Sequence, residues 1–146
     1  MTVSDHADLA VGFELPAFQR TVGFAIWNRY AAVNDEFVPI HMDDAAGREA
    51  GYPSAFGMGN LQIAYLHCLL RGWLDGRGRV RNLAVRFRGP ALRGSDNIAG
   101  GVITAVHADE PNPVVELDIW VDDGAGEHLT SGTAVVVVDA IGATGV

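Results

Sequence analysis

The sequence predicts an α+β domain in which a curved antiparallel sheet wraps round one long apolar helix. Three observations carry that prediction. The segment Met58 to Leu74 is the most apolar in the chain and is flanked by glycine on both sides, F-G-M-G-N before it and D-G-R-G after it, as a buried helix with defined ends would be. From Arg79 onward the chain turns to β-branched runs of period two, the pattern of half-buried strands. A strand and helices precede that run of strands, an order that places the helices on one side of an antiparallel sheet.

The elements follow in sequence. Leu15 to Arg20 reads as a short strand. Thr21 is the expected N-cap of a helix from Val22 to Val33, in which Phe24, Ile26, Trp27 and Tyr30 recur at near-helical spacing. Pro39 has no backbone donor, so that helix should stop before it and the chain should turn through Asp35 to His41. Asp43 to Ala50 reads as one or two helical turns, halted by Gly51 and Pro53. After the long helix, strands are expected at Arg79 to Arg88, Ile98 to Ala108, Val114 to Asp122 and His128 to Asp139. G-P-A-L-R-G-S-D, D-E-P-N-P and D-D-G-A-G-E supply the turns between them. A helix apolar on nearly every face should be surrounded by protein.

Length and composition bound the rest. A chain of 146 residues that is 49% hydrophobic can bury one core and is too short for two ordinary domains. We read a single domain over 13–140, with small, polar or glycine-rich tails at 1–12 and 141–146 that are loosely held. All ten basic residues are arginine, and they face eighteen acids for a net charge of -8. That balance argues against nucleic acid as a partner, because such binding draws on a basic surface. Asn60, Gln62, His67 and Arg71 interrupt the apolar segment, which argues for a buried soluble helix over a membrane span. The first ten residues lack a basic region followed by an apolar run, so no secretory signal is expected. The lone Cys68 cannot form an internal disulfide and fits a reducing cytoplasm; in an apolar helix it reads as a small packing residue. His67 reads as a core imidazole for the same reason. No His, Cys, Asp or Glu grouping has zinc or iron spacing, and no metal is expected. Arg79, Arg81, Arg86, Arg88 and Arg93 read as solvent-facing arginines, with a clamp for the phosphates of coenzyme A as the second reading.

Chemistry concentrates in Tyr30 to His41, Y-A-A-V-N-D-E-F-V-P-I-H. Glu36 and His41 are five residues apart, which on an unbroken helix would separate them by roughly 140°. A turn at Pro39 lets the two side chains converge instead. Without gaps, the segment resembles the hydratase motif of the MaoC-like family, roughly F-A-x-L-S-G-D-x-N-P-I-H, whose Asp and His form a catalytic dyad. Glu36 stands where that motif has Asp, and Val38 where it has Asn. The F-G-M-G step resembles the family's approach to its central helix. R-F-R-G-P-A-L-R-G resembles its strand and proline-containing turn, and the last hairpin resembles its closing strands.

The resemblance spans most of Ala17 to Val138 and implies a single hotdog fold, a curved sheet around a central helix. It also implies a hydro-lyase of acyl-chain metabolism that hydrates trans-2-enoyl thioesters or dehydrates (R)-3-hydroxyacyl thioesters. Coenzyme A or acyl carrier protein would enter as part of the substrate, with no separate cofactor. His41 and an acid, Glu36 by position or its neighbour Asp35, would hold the water. An amide among Gly57, Met58 and Gly59, at the positive end of the central helix, would receive the developing enolate charge. Similar proteins dimerise, so a homodimer or a heterodimer with another hotdog protein is expected. Two other readings share the fold. One is an acyl-CoA thioesterase, disfavoured because the central helix has no acid before Asp75. The other is a non-catalytic subunit beside an active partner, to which the Glu36 and Val38 departures point.

Overall fold

The computed structural model describes residues 9–109 and 111–140. Its elements are β1 (Phe18–Thr21), α1 (Phe24–Asn34), α2 (Pro39–Met42), α3 (Asp44–Glu49), α4 (Gly59–Leu74), β2 (Gly78–Phe87), β3 (Asp96–His107), β4 (Val114–Asp122) and β5 (His128–Val138). The five strands form one antiparallel sheet in the order β1-β3-β4-β5-β2, and α4 packs against β1, β2, β3 and β4. This is the curled sheet over a central helix that the sequence predicts.

The core is the seam between α4 and the sheet. Leu66 and Leu70 on the helix are fully buried, as are Val115, Leu117, Ile119 and Val121 on β4 and Val136 on β5. Each such side chain contributes roughly 1.5–3 kcal/mol by leaving water, so α4 is held by packing far more than by its own propensity. It ends where Asp75 takes the left-handed conformation (φ 48) and donates its amide to Arg71 O at 2.9 Å, with Gly76 following at φ 77. The D-G-R-G stop is thus realised, with Asp rather than Gly in the first strained position.

The sheet covers one side of α4 only. Asn60, Cys68 and Arg71 are exposed on the other side and His67 is half-buried. The expectations of a helix enclosed on all faces, a packed Cys68 and a core His67 are therefore corrected: a half-barrel of five strands cannot close over the helix. Thr21 is not a helix cap either. It is paired to Asp96 as the last residue of β1 and its hydroxyl donates to that carboxylate at 2.7 Å, while α1 starts from an extended Gly23 without a side-chain cap. The expected strand from Leu15 begins later, at Phe18, because Pro16 interrupts the ladder; Glu14 makes only an isolated bridge to Val102.

One irregularity positions the site. The register of β2 against β5 shifts between Val80 and Asn82, leaving Arg81 as a bulge. Val80, Leu83 and Val85 consequently pack on the core although Val80 and Leu83 are three residues apart, and Phe87 continues their face. Of the expected loose tails, 1–8 and 141–146 lie outside the described residues; the Gly12 amide, at the inner end of the first, donates to Ile103 O at 2.8 Å.

Candidate active site

The chain between α1 and α4 builds one wall of a cleft of about 440 Å³. Helix α1 stops at Asp35, whose left-handed backbone (φ 50) turns the chain, and the amide of Glu36 folds back to Ala31 O at 3.1 Å. That reversal brings Glu36, half-buried, into the cleft lining, and Asp35 is left exposed outside it. The Glu36 carboxylate accepts from Asn34 Nδ2 at 2.9 Å and from Asn60 Nδ2 at 3.3 Å, so the first turn of α4 helps hold it. Tyr30 senses it: burial first, then the negative charge of Glu36, push the phenol above its ordinary pKa.

Pro39 does more than end a helix. It occupies the first position of the one-turn helix α2, where a missing N–H is harmless and its fixed φ is suited. The expected turn from Asp35 to His41 is therefore a turn followed by a helical turn, and His41 is carried on the latter. His41 is only 7% exposed, with Nδ1 2.7 Å from Phe56 O and its ring edge-on to the Phe56 ring. A carbonyl oxygen can only accept, so Nδ1 carries the proton and Nε2 is the free lone pair in the neutral ring. Nε2 makes no hydrogen bond among the described residues, yet it is not sealed in as Trp27 Nε1, Tyr65 OH and Trp73 Nε1 are. Phe56 and Glu36 line the cleft, and His41 adjoins it through its edge-on contact with Phe56.

The floor is the start of α4. The amide of Gly57 donates to Ala91 O at 2.8 Å and is engaged, whereas those of Met58 and Gly59 have no protein partner among the described residues. Gly59 lines the cleft, and a Cβ on it would come within 2.7 Å of the Phe87 ring. Glycine here thus lets Phe87, 51% exposed, lie directly over the helix start. Arg88 lines the far side with its Nε 3.1 Å from Ser131 Oγ. Arg93 instead pairs with Asp44 at 2.9 Å, and Asp44 also accepts from the Ala55 amide at 3.1 Å. These contacts tie α3 to the segment leading into α4.

Sequence reasoning passed over two residues here. Gln62 (3% exposed) and Thr130 (0%) are buried polar groups joined by a hydrogen bond from the Thr130 hydroxyl to Gln62 Oε1, and Gln62 lines the cleft. A polar residue on the buried face of an apolar helix was the available signal.

The architecture has clear counterparts among solved structures. An (R)-hydratase from A. caviae involved in PHA biosynthesis is 24% identical and superposes with a TM-score of 0.79 over 88% of this chain and 96% of that one. A MaoC-like dehydratase from Rhodospirillum rubrum is 21% identical, with a TM-score of 0.77 over 92% and 95%. The ChsH1-ChsH2 complex from Mycobacterium tuberculosis contains a chain 15% identical, with a TM-score of 0.78 over 88% and 98%. No protein-family profile and no curated protein matches the sequence. The chain thus has the hotdog fold of the MaoC-like hydratases and dehydratases. No helix among the described residues is long and apolar enough to cross a membrane.

Proposed function

We propose that the chain is a hydro-lyase acting on acyl thioesters, adding water to trans-2-enoyl groups or removing it from (R)-3-hydroxyacyl groups. The observation that carries this reading is the placement of the Glu36 carboxylate in a cleft floored by the unpartnered amide of Gly59. In the hydration direction, Glu36 and His41 Nε2 hold the water and take its proton as its oxygen bonds to Cβ. The double-bond electrons move onto the thioester oxygen, where the amides of Gly59 and Met58 and the positive end of α4 stabilise the enolate. Collapse of the enolate with proton delivery to Cα completes the addition, and the dyad is restored when the proton it gained is the one returned. The (R)-hydratase and dehydratase counterparts support this reaction class.

The domain works as one half of a pair of hotdog chains, its own copy or a paralogue. Three features support pairing. β2 is a ten-residue strand at the sheet edge, with its outer backbone groups unpaired among the described residues, a state that long edges seldom keep in isolation. Val33, Phe37, Val38, Tyr52 and Phe87, in the segments that build the cleft, are all exposed, and the outer side of α4 is bare. The third is the complex in which one structural counterpart occurs.

Loss of enoyl absorbance when the protein is mixed with crotonyl-CoA and longer enoyl-CoAs tests the reaction. Turnover that disappears in His41→Ala is the expected result. Absence of turnover at every chain length, or release of free thiol in its place, would overturn the reading. Sedimentation of the purified chain tests pairing, with a stable monomer as the contrary outcome.

A further inference from the structure

Gln62 presents a hydrogen-bond donor that nothing among the described residues uses. The side chain is 3% exposed, its Oε1 accepts from Thr130, and Nε2 has no partner among the described residues. Unlike Trp27 Nε1, Tyr65 OH and Trp73 Nε1, Nε2 is not sealed from solvent, and the residue lines the cleft. Thr130 lies on β5, opposite Phe87 of β2, so the carboxamide is fixed from the sheet side while it is carried by the helix. A buried donor held by a second buried residue and opening onto a cleft is built to meet an acceptor.

The thioester carbonyl is not that acceptor. On the reading above, it sits at the amide of Gly59, and Gln62 lies three residues further along α4, about 4.5 Å by the helical rise. That offset corresponds to a few carbon–carbon bonds of extended acyl chain. We infer that Gln62 determines acyl specificity, its carboxamide binding a hydroxyl or carbonyl oxygen borne by the acyl chain beyond the reacting carbons. The preferred substrates are oxygenated acyl thioesters over plain hydrocarbon ones. A plain chain lying across Gln62 strips water from Nε2 and leaves it unpaired, and sites built to bond an oxygen discriminate strongly against analogues that lack it. Thr130 is a positioning residue: without its hydroxyl, the carboxamide is free to turn.

This inference rests on the hydro-lyase reading for the orientation of the substrate, and binding and turnover separate the two. Unreactive 5-hydroxyhexanoyl-CoA and hexanoyl-CoA are titrated against the full chain, and 5-hydroxyhex-2-enoyl-CoA and hex-2-enoyl-CoA are assayed for hydration. The wild-type protein should bind the hydroxylated ligand at least about tenfold more tightly. The ratio should fall toward one in Gln62→Leu and Gln62→Met, fall partway in Thr130→Val, and recover in Thr130→Ser. Two apolar replacements guard against one failing to fold, and the wild-type ratio is a test in its own right. A wild-type ratio near one, a ratio retained in both Gln62 variants, or no binding of either ligand overturns the inference. Discrimination in binding without hydration would sink the hydro-lyase reading and leave the role of Gln62 standing; hydration without discrimination would do the reverse.

Discussion

Nδ1 of His41 lies 2.7 Å from the carbonyl oxygen of Phe56, joining the one-turn helix α2 to the residue that precedes the G-M-G step. The contact fixes the ring tautomer and anchors the approach to α4 at once. His41→Ala should therefore lower hydration kcat by about 10²–10⁴-fold. It should also destabilise the fold by roughly 1–3 kcal/mol, since Phe56 O loses its partner in a part-buried setting. Steady-state kinetics and urea denaturation of the same preparation check both effects.

Asp35 and Glu36 are neighbours with opposite fates, one exposed at a left-handed turn and the other in the cleft. Glu36→Gln should abolish most turnover, and Asp35→Asn should leave it nearly intact. Asp35→Gly should keep activity and raise stability by up to about 1 kcal/mol, because glycine carries no penalty at φ 50. Activity lost only in Asp35→Asn would reverse the assignment of the acid.

Val38 is the N-cap of α2, 41% exposed and without a side-chain cap bond. Asn, which the family motif carries there, is among the best capping residues. Val38→Asn should raise unfolding stability by about 1 kcal/mol. An unchanged denaturation midpoint would show that the α2 amides are satisfied in another way.

Gly47 sits inside α3, where Gly→Ala ordinarily stabilises by up to about 1 kcal/mol. Here the sign should invert. A Cβ at this position would lie 2.1 Å from Ser54 O, a backbone atom, so Gly47→Ala should destabilise by roughly 1–3 kcal/mol or more. A thermal melt distinguishes the two signs directly.

Asp44 is held below the ordinary carboxylate range, first by the Ala55 amide hydrogen bond and then by the Arg93 hydrogen bond and charge, against an opposing effect of burial. Its folded pKa is the lower one, so between that value and the unfolded value of about 3.9 the native state binds fewer protons. The stability it confers is present above the unfolded value and is lost as pH falls through the folded one. Denaturation midpoints measured down a pH series should decline less steeply in Asp44→Asn than in wild type below about pH 4.

Elements fixed by local pattern were legible in the sequence. β4 runs from Val114 to Asp122 as expected, because its alternation is unbroken and turn residues bound it. α4 starts one residue after Met58, where glycines and a long apolar run leave few alternatives. Tertiary context was what stayed hidden. Thr21 has the chemistry of a cap, yet its hydroxyl is taken by Asp96, 75 residues away. Cys68 is apolar enough for a core, but which side of α4 a five-stranded sheet leaves open is a property of strand number. In the site, Glu36 was reachable by position matching. The Gln62–Thr130 pair spans 68 residues and could not be read locally, and the engaged amide of Gly57 depends on Ala91 in a distant turn.

The bulge at Arg81 works as punctuation in a strand whose two faces are read in alternation. It absorbs one odd residue, so that the sequence on either side keeps its phase and Phe87 arrives over Gly59. Losing Arg81 would merely close the pause and leave the phase intact, whereas losing Ala84 would shift the frame, bringing Arg86 to the inward place of Val85 and Arg88 to that of Phe87. What confronts the substrate at that wall of the cleft is thus governed by a count made several residues upstream, at a position that lies outside the cleft.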